Sequence, residues 1–236
     1  WTNEGNGFKL LREFYAKYGI VHFAAGNTGA QMGGWFRKEI KTVADLKGLK
    51  FRTNPFAGKV LEPFGVVPQS IPAADLYPAL EKGTIDALEW VGPYDDLKLG
   101  FNKVAPYYYY PGWWEGGADL EFFVNVKKYN TLSAENKAIL DAAMKVAAAD
   151  MTSKYGAQNP QALKRLVASG TKLTLFPKAV MDAGFKASME AFAENDAKSA
   201  EFKKIHQDMR AFQRDQILWN RFSEFPFNQY MNSVKI

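Results

Sequence analysis

FRTNPFAGKVLEPFGVVPQSIPAADLYPALEKGTIDALEW, residues 51–90, opens with Arg52 shortly after a helix-closing glycine, Gly48, and ends with Glu89 and Trp90 behind an apolar run. Just before it, TVADLKG reads as a short helix and LKFRT as a strand with Arg52 near its carboxyl end. Residues 57–64 read as helix, VVPQSIP as a strand limited by its prolines, AADLYPALEKG as a helix closed by Gly83, and TIDALEWV as a strand ending at Glu89 and Trp90. Strands and helices joined by short connections indicate α/β units on parallel strands. In open α/β sheets, ligands bind beyond the carboxyl ends of the strands. Arg52 and Glu89 both fall on that rim. A surface salt bridge is the plainer account of the pair.

Outward from this stretch the chain keeps mixing the two element types. FKLLREFYAKY, residues 8–18, spaces Phe8, Leu11, Tyr15 and Tyr18 as one helix face closed by Gly19, and IVHFAA reads as a strand. GNTGAQMGGWF is a Gly-rich loop whose spacing fits neither a phosphate loop nor a dinucleotide fingerprint. After Pro93 come a short helix, the aromatic run YYYYPGWWEGG and the strand LEFFVNV. Ser133 opens a long helix through a capping box with Asn136, carries Ile139, Leu140, Ala143, Met144 and Ala147 on one face, and is expected to break near Pro160. KLTLF is a last strand, and two helices follow from Lys178, the second with a stripe of Phe202, Ile205, Met209 and Phe212.

The 236 residues are 47% hydrophobic and 23% charged, a globular composition. The net charge of +5 is spread without a basic block, which argues against a nucleic-acid-binding arm. No apolar run approaches the ~20 residues that span a bilayer. Cysteine is absent, so thiolate chemistry and disulfides are excluded. With His22 and His206 alone, a multi-histidine metal site or a histidine relay is all but excluded, and His22 in GIVHFAAG reads as a core or strand-end residue. Chemistry must therefore come from carboxylates, Arg, Lys, amides and aromatics.

Arg52 could grip a carboxylate through two parallel hydrogen bonds, or serve a structural ion pair. Glu89 and Glu115 each stand among aromatics, in LEWVGPY and GWWEGG. Two carboxylates in a dry pocket need a cation or a proton. A metal site, a glycosidase-like acid pair and two unrelated surface glutamates all remain open. Trp90, Trp113 and Trp114 offer flat walls or ordinary core. Gln31 offers an amide oxygen suited to a hard cation, although most loop glutamines have no such role.

VADLKGLKFRTNPFAGKVLEPFGVVPQSIPAADLYPALEKGTIDALEWVGPYDD resembles the DctP-type substrate-binding proteins of TRAP transporters, and among them the members that bind 2-oxo acids with a cation. The resemblance continues through FFVNVKKYNTLSAENKAIL toward the C-terminus. It implies a two-lobed, periplasmic-binding-protein-like α/β fold with mixed sheets and long crossing helices. Residues 1–32 would end the N-terminal lobe and cross over, 33–88 would form the second lobe, and 89–236 would return to the first lobe and finish in helices. Family members begin with a further N-terminal α/β portion, so the resemblance implies that this sequence starts after it.

The resemblance further implies that Arg52 pairs with the substrate carboxylate. Gln31, Trp90, Trp114 and Asn54 would join it around the substrate. The cation, Na⁺ or Ca²⁺, would be held by Gln31, Glu89, the main-chain carbonyl of Trp90, and Glu115. The implied protein is a periplasmic, non-enzymatic binder that delivers a small carboxylate to membrane permease subunits; its C-terminal helix either packs within its own chain, as in the monomeric members, or is exchanged in a homodimer, and both remain open. A carbohydrate hydrolase using Glu89 and Glu115, or an extracellular sensor domain, is the alternative.

Overall fold

The computed structural model describes residues 1–234. It resolves into two compact units, one formed by 1–24, 121–141 and 194–236, the other by 25–120 and 142–193. No helix among the described residues is long and apolar enough to cross a membrane.

The second unit holds a six-stranded sheet in the order β4-β3-β5-β2-β6-β8. Its strands are β2 (Gly34–Phe36), β3 (Lys50–Arg52), β4 (Val67–Gln69), β5 (Ala87–Leu88), β6 (Tyr107–Tyr110) and β8 (Lys172–Leu175). β3 runs parallel to β4 and β5, and β6 to β8, whereas β2 is antiparallel to both of its neighbours, β5 and β6. The three strands expected to be parallel, β3, β4 and β5, are so; β2, which the sequence pattern read as part of a Gly-rich loop, adds an antiparallel strand, and the sheet is mixed as the family resemblance implies. One reversed strand brings the entry of β2 to the same rim as the exits of β3, β5 and β6. Gly34 makes this pairing possible, since its φ is 111° and a Cβ would stand 2.4 Å from the Leu88 carbonyl oxygen of β5.

Alternation along the strands builds a core on each face. Phe36, Phe51, Ala87 and Tyr109 point to one side, where they join Leu61, Phe176 and Val180. Trp35, Leu88 and Tyr108 point to the other, with Leu76, Leu80, Phe101 and Leu166. The first face is covered from α2 (Pro55–Leu61) and α7 (Lys178–Lys198), the second from α3 (Leu76–Glu81) and α6 (Ala134–Ala168). α4 (Pro93–Leu99) follows β5. The aromatic run, which sequence pattern left without an assignment, supplies β6 with two of its most deeply buried residues, Tyr108 and Tyr109. β5 is shorter than its apolar run suggests, so Glu89 and Trp90 lie just beyond it.

α6 runs unbroken through Pro160, contrary to expectation. Proline costs a helix about 3 kcal/mol, and contacts around this turn oppose that cost. The Asn159 side chain accepts from Tyr94 N at 3.0 Å, Tyr155 Oη donates to Asp95 at 2.5 Å, and Ala162 and Leu166 are buried. The start of α6 is as expected, Ser133 Oγ accepting from Asn136 N at 3.1 Å. Its anticipated apolar face is covered only in part: Leu140 and Met144 are half-buried, while Ile139 is 58% exposed.

In the first unit, α1 (Gly7–Ala16) buries Leu10, while Tyr18 of the expected stripe is exposed. β1 (Ile20–Asn27) pairs with β7 (Asp119–Asn125). His22 is fully buried, lies 3.1 Å from Glu121 and stacks on Tyr15, a core histidine as its surroundings in the sequence suggest. α5 (Val126–Asn130) precedes α6. The C-terminal region comprises α7, α8 (Ala200–Phe222) and α9 (Glu224–Ser233), three helices where two were expected, because the chain breaks again at Ser223.

Candidate functional site

The rim of the second unit's sheet gathers the residues singled out from sequence. Arg52 ends β3, beside β5 in parallel register with Leu88. Its guanidinium donates from Nη1 to the main-chain oxygen of Glu89 at 2.6 Å and lies 5.0 Å from the Trp90 ring centroid. Glu89 N donates in turn to Arg52 O at 3.0 Å. The two residues are therefore neighbours, but the arginine holds the backbone of Glu89 and stacks on the next side chain. That arrangement fixes the plane of the guanidinium.

Glu89 is 2% exposed and its Oε1 has no hydrogen-bond partner. Burial pushes its carboxyl up to about 8; the charge of Glu115 adds to the rise, Arg52 opposes it, and Asp96 adds a little more. Glu115 follows β6 through the 111–117 loop and accepts from Asn54 Nδ2 at 2.8 Å. The other end of the Asn54 amide caps α2, Oδ1 accepting from Ala57 N at 2.8 Å. One asparagine thus ties the Glu115 loop to the first turn after β3.

Gln31 sits in the loop that enters β2. Its Nε2 donates to Thr28 Oγ1 at 3.3 Å, and its Oε1 is buried without a partner. The loops carrying Gln31 and Glu115 meet at Gly112, where a Cβ would stand 2.8 Å from the carbonyl oxygens of both residues. Trp114 packs its ring on Phe51 and Phe176, each at 5.1 Å, while its buried Nε1 has no partner. Trp113 instead lies against Gly184 of α7 and belongs to the packing there.

A hard cation suits this donor set. The two carboxylates are close enough for Glu115 to raise the pKa of Glu89, the Arg52 charge offsets this only in part, and buried oxygens of Glu89 and Gln31 are unspent. Among the described residues no three His, Cys, Asp or Glu side chains cluster as a metal site. Any ion here would take amide and main-chain oxygens beside two carboxylates, a set suited to Na⁺ or Ca²⁺ rather than zinc.

The sequence profile of bacterial extracellular solute-binding protein family 7, DctP, matches residues 1–198. The chain belongs to this family. A monocarboxylate 2-oxoacid-binding periplasmic protein from Nostoc is 45% identical over 233 residues, which are 99% of this chain and 64% of that protein. The chain thus spans a little less than two thirds of that relative. A TRAP transporter solute-binding protein from Bordetella bronchiseptica superposes with a TM-score of 0.95 at 50% identity, over 99% of this chain and 69% of the other. It is described as a mixed-occupancy dimer with copurified calcium and picolinate in a bound active site against an apo site. A second, from Pseudoalteromonas atlantica with bound sodium and pyruvate, gives a TM-score of 0.92 at 48% identity, over 100% and 71% of the two chains. The family is one of solute-binding proteins, which sets aside the hydrolase alternative for Glu89 and Glu115.

Sequence reasoning missed two participants in this DctP-family site. Asp96, buried in the first turn of α4, accepts three hydrogen bonds, one of them from the turn that follows Glu89. Thr28 accepts from both Gln31 Nε2 and Ala118 N, holding the Gln31 loop in place. The Asp95-Asp96 pair beside Pro93 was a visible signal, since acidic residues favour a helix start, but nothing in the sequence shows which of the two turns inward.

Proposed function

We propose that this chain serves a periplasmic solute-binding protein of a TRAP transporter, which captures a small carboxylate, a 2-oxo acid such as pyruvate, with a bridging Na⁺ or Ca²⁺ ion and delivers it to membrane permease subunits. The observation that carries the reading is a positive guanidinium and a proton-holding, cation-seeking glutamate on one rim, Arg52 and Glu89, with Gln31 and Glu115 brought in by adjoining loops. Arg52 takes the ligand carboxylate, its plane fixed by the bond to Glu89 O and the Trp90 face. Gln31, Glu89, the Trp90 carbonyl and Glu115 hold the cation, and Trp90, Trp114, Gln31 and Asn54 line the substrate. The bound ion supplies the charge that makes burial of both glutamates tolerable and a bridge to two ligand oxygens.

The ligands described for the similar structures support this choice. Pyruvate offers a carboxylate oxygen and a keto oxygen, and picolinate a carboxylate oxygen and a ring nitrogen, so each can close a five-membered ring on a cation. The lobe boundaries of 1–32, 33–88 and 89–236, and a homodimer through the C-terminal helices, belong to the same proposal. Calorimetric titration with pyruvate, longer 2-oxo acids, lactate and dicarboxylates, with and without calcium or sodium, tests it. Tight, cation-dependent binding of a 2-oxo acid is expected. Equal affinity in chelator-treated protein removes the cation, and no affinity for any carboxylate overturns the reading.

A further inference from the structure

Asp96 is 1% exposed, and a buried carboxylate must be compensated by hydrogen bonds. Its Oδ2 accepts from Trp35 Nε1 at 2.9 Å and from Tyr108 Oη at 2.7 Å. Those donors stand on adjacent strands, β2 and β6, with their rings stacked at a centroid distance of 3.9 Å. The other oxygen, Oδ1, accepts from Val91 N at 3.3 Å. One side of the carboxylate is thus fixed to the rigid centre of the sheet, and the other holds the turn directly after Glu89 and Trp90.

Main-chain bonds carry this anchorage onward. Val91 O accepts from Met32 N at 3.0 Å, Gln31 O accepts from Gly112 N at 3.1 Å, and Gln31 N donates to Gly116 O at 3.2 Å. Beginning at Asp96, the connection passes the turn bearing Glu89 and Trp90, crosses to Gln31, and reaches residues on both sides of Glu115. Each proposed cation ligand lies on this network or adjoins it.

We propose that Asp96 is a positioning residue for the cation: it fixes the turn that presents the Glu89 carboxylate and the Trp90 carbonyl, and through Val91 sets their registry with Gln31 and Glu115. The proposal rests on the cation-and-carboxylate reading above and adds a residue to it. Asparagine cannot replace the aspartate, because its single oxygen cannot serve Val91 on one side and Trp35 and Tyr108 on the other, and its NH2 must face either the Val91 N–H or the Trp35 donor.

The test uses full-length wild-type protein, Asp96→Asn and Tyr108→Phe, each titrated with calcium in the presence of pyruvate and melted with and without calcium. Asp96→Asn is expected to weaken calcium binding about tenfold or more, as loss of outer-shell support commonly does, and to shrink the calcium-induced rise in Tm. Tyr108→Phe leaves the Asp96–Val91 bond in place and should shift both quantities the same way but less, so it carries the test if Asp96→Asn does not fold. A purely structural Asp96 would lower Tm equally with and without calcium and leave the calcium-induced rise intact. Wild-type calcium affinity and Tm rise in folded Asp96→Asn, or in Tyr108→Phe should the first not fold, overturn the proposal. A wild-type protein that binds neither calcium nor pyruvate overturns the functional reading instead.

Discussion

Glu89 makes a pH dependence that can be worked out with its sign. Its carboxyl titrates at about 8 in the folded chain against an ordinary 4.5. Between those values the folded state holds a proton that the unfolded chain has released, so without cation the fold loses stability as pH rises through that window and is penalised constantly above it. In chelator, Glu89→Gln should therefore be more stable than wild type at pH 8, by at least ~1 kcal/mol, and lose the advantage near pH 4. Melting both proteins across this range checks it; parallel curves would remove the buried charge from the account. The same variant should bind pyruvate with little response to calcium. Arg52→Lys is expected to weaken pyruvate binding by more than ~1.4 kcal/mol, a factor of ten, because an ammonium cannot offer the planar fork. Titration of the folded variant decides, and unchanged affinity would end the ligand role of Arg52. The adjacency of these two residues was legible in the sequence, because the alternation of helix and strand put both on one rim. That Arg52 would hold the Glu89 main chain rather than its carboxylate was not, since a side chain's choice between two oxygens depends on the turn geometry of residue 89.

At the scale of elements, pattern succeeded where burial imposes a period and failed where backbone partners decide. The β3-α2-β4-α3-β5 succession follows from apolar spacing and closing glycines. The reversed direction of β2 does not, for three residues of Gly-Trp-Phe carry no mark of direction. β6 escaped because four consecutive tyrosines show no alternation, although Tyr108 and Tyr109 face opposite cores. Pro160 was read by its local cost alone, while tertiary contacts on either side of it keep α6 continuous. Gly34 is the residue through which the direction of β2 can be tested. Gly34→Ala meets both a φ of 111° and a 2.4 Å approach to Leu88 O, so β2 and β5 must separate. A loss of about 2–3 kcal/mol in denaturant unfolding is expected, with pyruvate affinity falling because Gln31 and Glu89 adjoin the disturbed pair. Alanine tolerated at wild-type stability would contradict the close pairing of these strands.

For the whole molecule, the C-terminal helices pose a question of association. The first half of α8 is engaged within its own unit: Trp1 Nε1 and Asn6 Nδ2 donate to Asp208 at 2.7 and 2.8 Å, and Lys204 pairs with Glu13 at 3.1 Å. The second half and α9 expose Ile217, Leu218, Trp219, Phe222, Phe225 and Phe227, with Trp219 at 66% and Phe222 at 78% exposure. Fully burying one such side chain stabilises by about 1.5–3 kcal/mol, and a patch of this kind marks an interaction surface. Exchange or apposition of identical helices gives a self-complementary contact at low cost, so a second copy of the chain is the occupant we favour. Cutting the chain before Ser199 would also strip α1 of its partner, so substitution within the exposed half is the cleaner test. Light scattering should give twice the monomer mass for the full-length protein and the monomer mass for Trp219→Ser combined with Phe222→Ser, with pyruvate binding retained because neither residue belongs to the rim of the sheet. A wild-type protein that stays monomeric at high concentration would leave this face to another partner and end the dimer.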